Sequence, residues 1–377
     1  MSRASSRVDA VVIGGGVIGS SAAWRLAARG RSVVLLEQFE QGHRRGASHG
    51  SSRIYRQAYG GEFYTAFAAS ALPLWRQLEE ATGYELLTLT GAVDHGFPAT
   101  VLSRARVLDA RGIDVEVLEP AAAGKRWPGI RFDNTVVHHP AAGRLHADRS
   151  VMALHRAAAL EGADVRFGTT VRELHRTAGC VEVITDIGVV RTGHVVIAAG
   201  AWSSQLLAEG GIAPIPDLPR LRTTQEQPAH FSPVAPVEWP SFVHHPGAGL
   251  ATEGIYGLGS DDGIKIGEHG TGPEVDPETR TFAADPDGVR RLVEYAVTWL
   301  PGVDPGTVVA DTCLYTTTPD SNFVIDRFGD VTVAAGFSGH GFKFAPAVGE
   351  LVTGLVDGTA VSPDVFRVGA RVGVVAR

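Results

Sequence analysis

Three glycines stand at the spacing G-x-G-x-x-G: Gly14, Gly16 and Gly19, in the segment VVIGGGVIGSSAAWRLAARG. The first permits a tight turn, the second lets backbone approach a pyrophosphate, and the third lets a helix pack closely on a strand. The amides and positive dipole end at the start of that helix then suit a phosphate. Glu37 ends the next apolar run, where a carboxylate receives the hydroxyls of an adenosine ribose. A bare glycine pattern is often only a structural turn. Strand, helix and acid together make this one a dinucleotide site, without separating FAD from NAD.

Other chemistry-bearing residues lie far along the chain. Cys313, in TCLYTTTPD, is a thiol whose thiolate form would be a strong nucleophile, although an isolated cysteine is more often a small buried side chain. Arg53 and Arg56 share the segment SSRIYRQAY, and Lys343 sits in a stretch of glycine and phenylalanine with few other charges. A guanidinium can grip a carboxylate through two parallel hydrogen bonds, and an ammonium adds a point charge. Most such side chains are solvated surface charges. Lys265, Gly267 and His269 alternate along DDGIKIGEHG and face one way in a strand, which turns Glu268 to the other face. Tyr315 shares the face of Cys313 by the same rule. The adjacent pairs His138–His139 and His244–His245 point to opposite faces, and no Cys or His spacing suggests a metal.

The elements that must position these residues are legible in part. Val8 to Ile13 reads as a buried parallel strand. Ala22, Ala23, Leu26 and Ala27 give a narrow helix face, stopped by Gly30, and Ser32 to Leu36 reads as a second strand. Phe63 to Thr82 reads as an amphipathic helix, His194 to Ala199 and Val331 to Ala335 as strands ending in glycine, and Ala347 to Leu355 as a helix. Residues 86–145 and 216–318 are richer in proline, histidine and alternating patterns, as in antiparallel sheet. The fold class expected is α/β with an α+β second domain. A Rossmann-like nucleotide domain is assembled from 1–85, 146–215 and 319–377, and a mostly antiparallel substrate domain carrying helices from 86–145 and 216–318.

A chain of 377 residues suits two domains of about 100–200 residues each. The net charge of −7 leaves no basic excess to meet nucleic-acid phosphates. Two cysteines, Cys180 and Cys313, make neither a disulfide scaffold nor a metal knuckle, so a reducing, cytoplasmic setting is expected. The start MSRASSR is short and polar and lacks a cleavage pattern, and no apolar stretch reaches the roughly 20 residues that span a bilayer.

Three segments narrow the cofactor: GASHGSSRIYRQAY (46–59), TCLYTTTPDSNFVID (312–326) and VAAGFSGHGFKFAPAVGE (333–350). With the glycine fingerprint they resemble the monomeric sarcosine oxidase and N-methyltryptophan oxidase family, within the D-amino-acid-oxidase-like flavoproteins. The resemblance runs from about residue 8 to about residue 367. It implies FAD, held by Gly14, Gly16, Val17, Ile18, Gly19, Glu37, Gln38, Ser48, Ser52, Arg53, Val171, Ala199, Gly200, Trp202, Gly336, Gly339, Gly341, Phe342 and Lys343. It places Cys313 where the family carries a thioether link to the flavin 8α-methyl group, while Cys180 lacks such context. It assigns Arg56, Lys343 and Tyr256 to the substrate, the first two to its carboxylate. Lys265, Arg53, His269 and Tyr315 become the catalytic set, with Lys265 promoting reaction with oxygen. The sequence departs from the pattern at Glu268, where an aromatic is expected, and in a shorter loop after Arg56.

The expectation is thus a monomeric oxidase of small secondary amines or N-methyl amino acids, producing hydrogen peroxide from O2, without nucleic-acid, membrane or metal partners. A desaturase of a cyclic amino acid or biosynthetic intermediate, as in pipecolate-oxidase-like relatives, stays open. So do a flavoprotein that passes electrons to a protein partner and an NAD-dependent dehydrogenase.

Overall fold

The computed structural model describes residues 7–211, 214–247 and 254–370; the polar start, apart from Arg7, lies outside them. Strand Val8–Ile13 pairs in parallel with Val33–Leu36 on one side and with the end of Gly188–Ile197 on the other. Its Ala10 and Val12 enter one apolar cluster and its Val11 and Ile13 another. Burial on both faces is why Ala10 to Ile13 is continuously apolar rather than alternating. The sheet has eight strands, including Asp164–Arg166 beyond Val33–Leu36 and the antiparallel pair Val324–Phe328 and Val331–Ala335.

The strand expected over His194–Ala199 is longer and ends earlier, at Ile197. Its first half pairs antiparallel with Cys180–Thr185 as an exposed hairpin arm, and only its second half lies between Val8–Ile13 and Val331–Ala335. The exposed half carries no continuous apolar run, so its pattern does not announce it.

Helices Val17–Ala28, Glu62–Thr82, Ala147–Leu160 and Ala345–Asp357 pack together against this sheet. The first and last approach closely: a Cβ at Gly349 would lie 2.6 Å from Ser21 Oγ. Ser21 makes that approach, and Ala22 and Ala23 beside it are fully buried. Helix Glu62–Thr82 starts after Gly60 and Gly61, and ends at Gly83 with φ +73°, a left-handed cap that a side chain would strain.

A second eight-stranded sheet runs in the order Val303–Ala310, Ala229–Pro233, Gly263–Glu268, Ile255–Ser260, Ser241–His245, Ala92–Gly96, Val136–His139, Glu116–Leu118. Every pair is antiparallel except Ser241–His245 with Ala92–Gly96. Helix Pro286–Trp299 lays Leu292, Tyr295 and Ala296 on its apolar face, against Phe231, Phe242 and Ile266. Two short sheets complete the set: Arg53–Tyr55 with Gly143–Leu145 and Leu87–Thr88, and Arg222–Glu226 with Cys313–Thr317. The fold is α/β with a mostly antiparallel second sheet. Among the described residues no helix is long and apolar enough to cross a membrane.

Candidate active site

The glycine turn opens a cavity of about 750 Å³, within the size range of cofactor sites. Gly14 adopts φ +106°, and a side chain there would strike the Ala198 carbonyl. A Cβ at Gly19 would strike the Gly14 carbonyl, so helix and turn touch only because both positions are glycine. Helix Val17–Ala28 has Gly16 at its cap and no side-chain cap bond; Ser48 Oγ accepts from the Val17 amide at 3.1 Å. Glu37 is buried and accepts from the amides of Gly15 (2.7 Å) and Phe39 (3.0 Å). Burial pushes its carboxyl up, but His43 and these amides outweigh it and hold the group below its ordinary value. A charged carboxylate is thereby fixed beside the glycine turn.

The cavity wall takes in Gly14, Gly16, Val17, Ile18, Glu37, Gln38, Ser48 and Arg53, then Val171, Ala199, Gly200 and Trp202, and finally Cys313, Tyr315, Gly336, Gly339, Gly341 and Phe342. Of the residues expected to hold the cofactor, Gly19, Ser52 and Lys343 stand behind the wall rather than in it. Gly19 acts through packing. Ser52 offers its carbonyl to Lys265 Nζ at 3.5 Å, and Lys343 reaches the neighbouring substrate residues. The sequence reading missed Phe39, which packs edge-on to Trp202, and His49, which lies between the glycine turn and Arg53 in sequence and lines the cavity. Phe39 carries no periodic or motif signal, whereas His49 lies within GASHGSSRIYRQAY, where the motif could have pointed to it.

Around Cys313 the positive groups gather. The thiol is 9% exposed, with Arg53 Nη2 3.7 Å from Sγ. Arg53 is tethered by the carbonyls of Ala47, His49 and Ser52, each at 2.8 Å. Lys265 projects from strand Gly263–Glu268 into the same region, and burial together with the Arg53 charge holds its ammonium down to about 7. Neither Arg53 nor Lys265 has a carboxylate partner among the described residues. His49 is buried beside them and held down to about 3, by burial first and then by Arg53, so it stays neutral. Glu268 turns away, as alternation requires, and pairs with Arg291 at 2.8 Å.

Aromatic residues join this region to the substrate residues. Tyr256 sits opposite Gly267 in the antiparallel pair, and a Cβ at Gly267 would lie 2.6 Å from its hydroxyl. Tyr256 is hydrogen-bonded to Tyr315, whose hydroxyl is 3.4 Å from His269 Nδ1. Burial pushes Tyr256 up to about 12 and Tyr315 well above its ordinary value, so both remain phenols. The turn after His269 is held by Glu226, a buried carboxylate that accepts from Thr224 Oγ1 at 2.6 Å and from the amides of Thr271 and Gly272 at 3.2 Å.

Lys343 is buried, and its Nζ donates to Tyr59 Oη and to the His340 carbonyl, both at 2.9 Å. Burial, then the charge of Arg56, pushes this ammonium well below its usual range. Arg56 contributes Nη1 to the Ala58 carbonyl (2.6 Å) and to the buried carboxylate of Asp94 (3.1 Å). The sequence reading gave no role to Asp94, Tyr59 or His340. Asp94 sits in an alternating strand segment where nothing marks an acid as buried.

This arrangement fits a flavin dinucleotide. The glycine turn and Glu37 suit its adenosine and pyrophosphate. In the cavity wall, both ring nitrogens of His49 are buried without a hydrogen-bond partner among the described residues, close to Arg53. Buried polar atoms of this kind are normally satisfied, which a polar ring system would do. The chain belongs to the DAO family of FAD dependent oxidoreductases, whose model matches residues 9–355. It is 32% identical over 366 residues to the monomeric sarcosine oxidase of Bacillus sp. (strain NS-129), covering 93% of each chain. It is 35% identical over 364 residues to the peroxisomal sarcosine oxidase of Mus musculus, covering 91% of this chain and 90% of that one. Among solved structures it is similar to NikD, an amino acid oxidase essential for nikkomycin biosynthesis, with TM-score 0.82 and 27% identity over 95% of this chain and 96% of that one. It is also similar to the L-proline dehydrogenase from P. horikoshii, with TM-score 0.81 and 25% identity over 94% of each chain.

Proposed function

We propose that this protein oxidises the C–N bond of an N-methyl or other secondary amino acid, using FAD and returning the electrons to O2 as hydrogen peroxide. The observation that carries the reading is a set of basic side chains, the buried Lys265 and Lys343 and the half-buried Arg53, with no carboxylate partner among the described residues. Burying a cation unpaired is costly, and an anionic ligand offsets that cost. Names of the similar proteins point the same way: sarcosine oxidases, an amino acid oxidase and an L-proline dehydrogenase.

In this reading Arg56 and Lys343 hold the substrate carboxylate. The amine binds neutral, in a wall formed by Tyr256, His269 and Tyr315, which excludes water from the reacting carbon. The bound flavin supplies the two-electron acceptor and the route to oxygen. An N-methyl amine loses two electrons and two protons to become an imine, and hydrolysis of the imine releases formaldehyde and the free amino acid. O2 with two electrons and two protons gives the peroxide. Lys265 supplies a fixed positive charge where oxygen first gains an electron. Cys313, lining the cavity with Arg53 Nη2 3.7 Å from its sulfur, is the residue for a thioether to the flavin 8α-methyl group.

The segments 1–85, 146–215 and 319–377 are read as the FAD unit, and 86–145 with 216–318 as the substrate unit. The low cysteine count supports a reducing, cytoplasmic setting, and the likeness to proteins named monomeric supports a monomer. Likeness to NikD and to L-proline dehydrogenase favours a second reading, oxidation within a cyclic amino acid. An aerobic peroxide assay over sarcosine, other N-methyl amino acids, proline, pipecolate and glycine tests both. Peroxide from none of them would contradict both.

A further inference from the structure

Asp94 lies on strand Ala92–Gly96, flanked in register by Val137 and Val243, and is 1% exposed. Its Oδ1 receives Arg56 Nη1 at 3.1 Å and His245 Nε2 at 2.6 Å, with Arg104 Nε 3.6 Å away. Its Oδ2 is buried and has no partner among the described residues. A carboxylate placed there for packing alone would be a poor choice, because burial of a half-satisfied acid is unfavourable.

The arrangement makes sense around Arg56. One amino corner of the guanidinium, Nη1, is fixed by two acceptors, Asp94 Oδ1 and the Ala58 carbonyl. Nε and Nη2 engage no acceptor among the described residues. A guanidinium carries five donors in one plane, and fixing one corner sets the direction of the opposite edge. The Nε–Nη2 edge can grip a carboxylate with two parallel bonds. The carbon of the guanidinium lies 5.2 Å from the Tyr59 ring centroid, against the same ring that Lys343 approaches at 5.5 Å. Arg104 matters to the balance: two guanidinium groups face one carboxylate, so Asp94 does not cancel the positive charge that an anionic ligand would meet.

We propose that Asp94 is a positioning residue, which fixes Arg56 by one corner so that its open edge reads the substrate carboxylate, with His245 and Arg104 holding Asp94 in turn. This rests on the reading of Arg56 as a carboxylate ligand. Asp94 thereby sets selectivity for amines that bear a carboxylate over amines that lack one. A competing role, in which Asp94 occupies Arg56 and must be displaced, predicts the opposite sign on removal.

The test uses the flavin-loaded protein and follows the flavin absorbance during titration with methoxyacetate, an ether analogue of an N-methyl amino acid that has no oxidisable amine. Methoxyacetamide is its uncharged counterpart. Asp94→Ala weakens methoxyacetate by about 10- to 100-fold, the scale on which small misplacements act. Asp94→Asn, whose amide oxygen still accepts from Nη1, recovers part of the loss. Methoxyacetamide binds all three proteins alike. If Asp94→Ala yields no flavin-loaded protein, Asp94→Asn decides alone: severalfold weakening of methoxyacetate supports the role. Unchanged or tighter binding of methoxyacetate in the variants overturns it. Equal binding of the acid and the amide by the unaltered protein would defeat the carboxylate reading of Arg56, and this inference with it.

Discussion

Arg56 and Lys343 meet at one aromatic ring, that of Tyr59: the guanidinium carbon is 5.2 Å and the ammonium nitrogen 5.5 Å from its centroid. Two cations this close, in a region of low polarity, repel each other, and Arg56 contributes to the depression of the Lys343 ammonium. A ligand carboxylate relieves that repulsion. Arg56→Ala and Lys343→Met should each weaken a carboxylate-bearing amine by about 2–5 kcal/mol. The double change should fall short of additivity, because the two residues share a partner. Titrations of an N-methyl amino acid and its decarboxylated analogue check this. Equal losses for both ligands would remove the carboxylate from the account.

The lone thiol in the cavity wall gives a second prediction. Denatured protein should fluoresce as flavin on a gel, and Cys313→Ser should lose the signal while the folded variant still takes up FAD. Flavin wholly extractable from the mature, unaltered protein would show that Cys313 makes no link.

Lys265→Met should slow reoxidation of the reduced flavin by about 100- to 1000-fold, the usual cost of removing one preorganised charge. Flavin reduction by substrate should change far less. Stopped-flow traces with normal reoxidation would remove Lys265 from the oxygen step.

The same lysine makes a pH prediction for the flavin-free protein. Folding lowers its ammonium from 10.5 to about 7. Between those values the unfolded chain binds more protons than the native one, so this group's contribution to stability rises with pH and is lost as pH falls towards 7. Comparing denaturant midpoints at pH 7 and pH 9, Lys265→Met should gain less from the higher pH than the unaltered protein. An equal gain in both would place the lysine in a wetter environment.

The central strands of the first sheet were legible because they are buried on both faces, and the largely apolar runs Val8–Ile13 and Val331–Ala335 appear at their observed bounds. The glycine turn was legible because only glycine fits beside the Ala198 and Gly14 carbonyls. The first half of Gly188–Ile197 was not, because an exposed hairpin arm leaves no apolar signature. Within the site, residues set in motifs could be placed from the sequence and its resemblance. Asp94 and Glu226, outside those motifs, could not, and the role of Tyr59, though it ends the motif 46–59, was not read from it. Each matters through partners distant in the chain, Arg56 and His245 for Asp94, the turn after His269 for Glu226, and Lys343 for Tyr59. No local pattern reports a contact made across the fold.

Oxidation of an amine next to a carboxylate, with oxygen as acceptor, is the proposed reaction. The most direct measurement is peroxide release under air from the flavin-loaded protein, with each secondary amino acid run beside its decarboxylated analogue. The expected result is peroxide in step with substrate loss for at least one carboxylate-bearing amine, with little from its analogue, and formaldehyde as well when the substrate is N-methylated. Flavin that such amines reduce but that O2 does not reoxidise, or peroxide formed equally from the analogues, would contradict it.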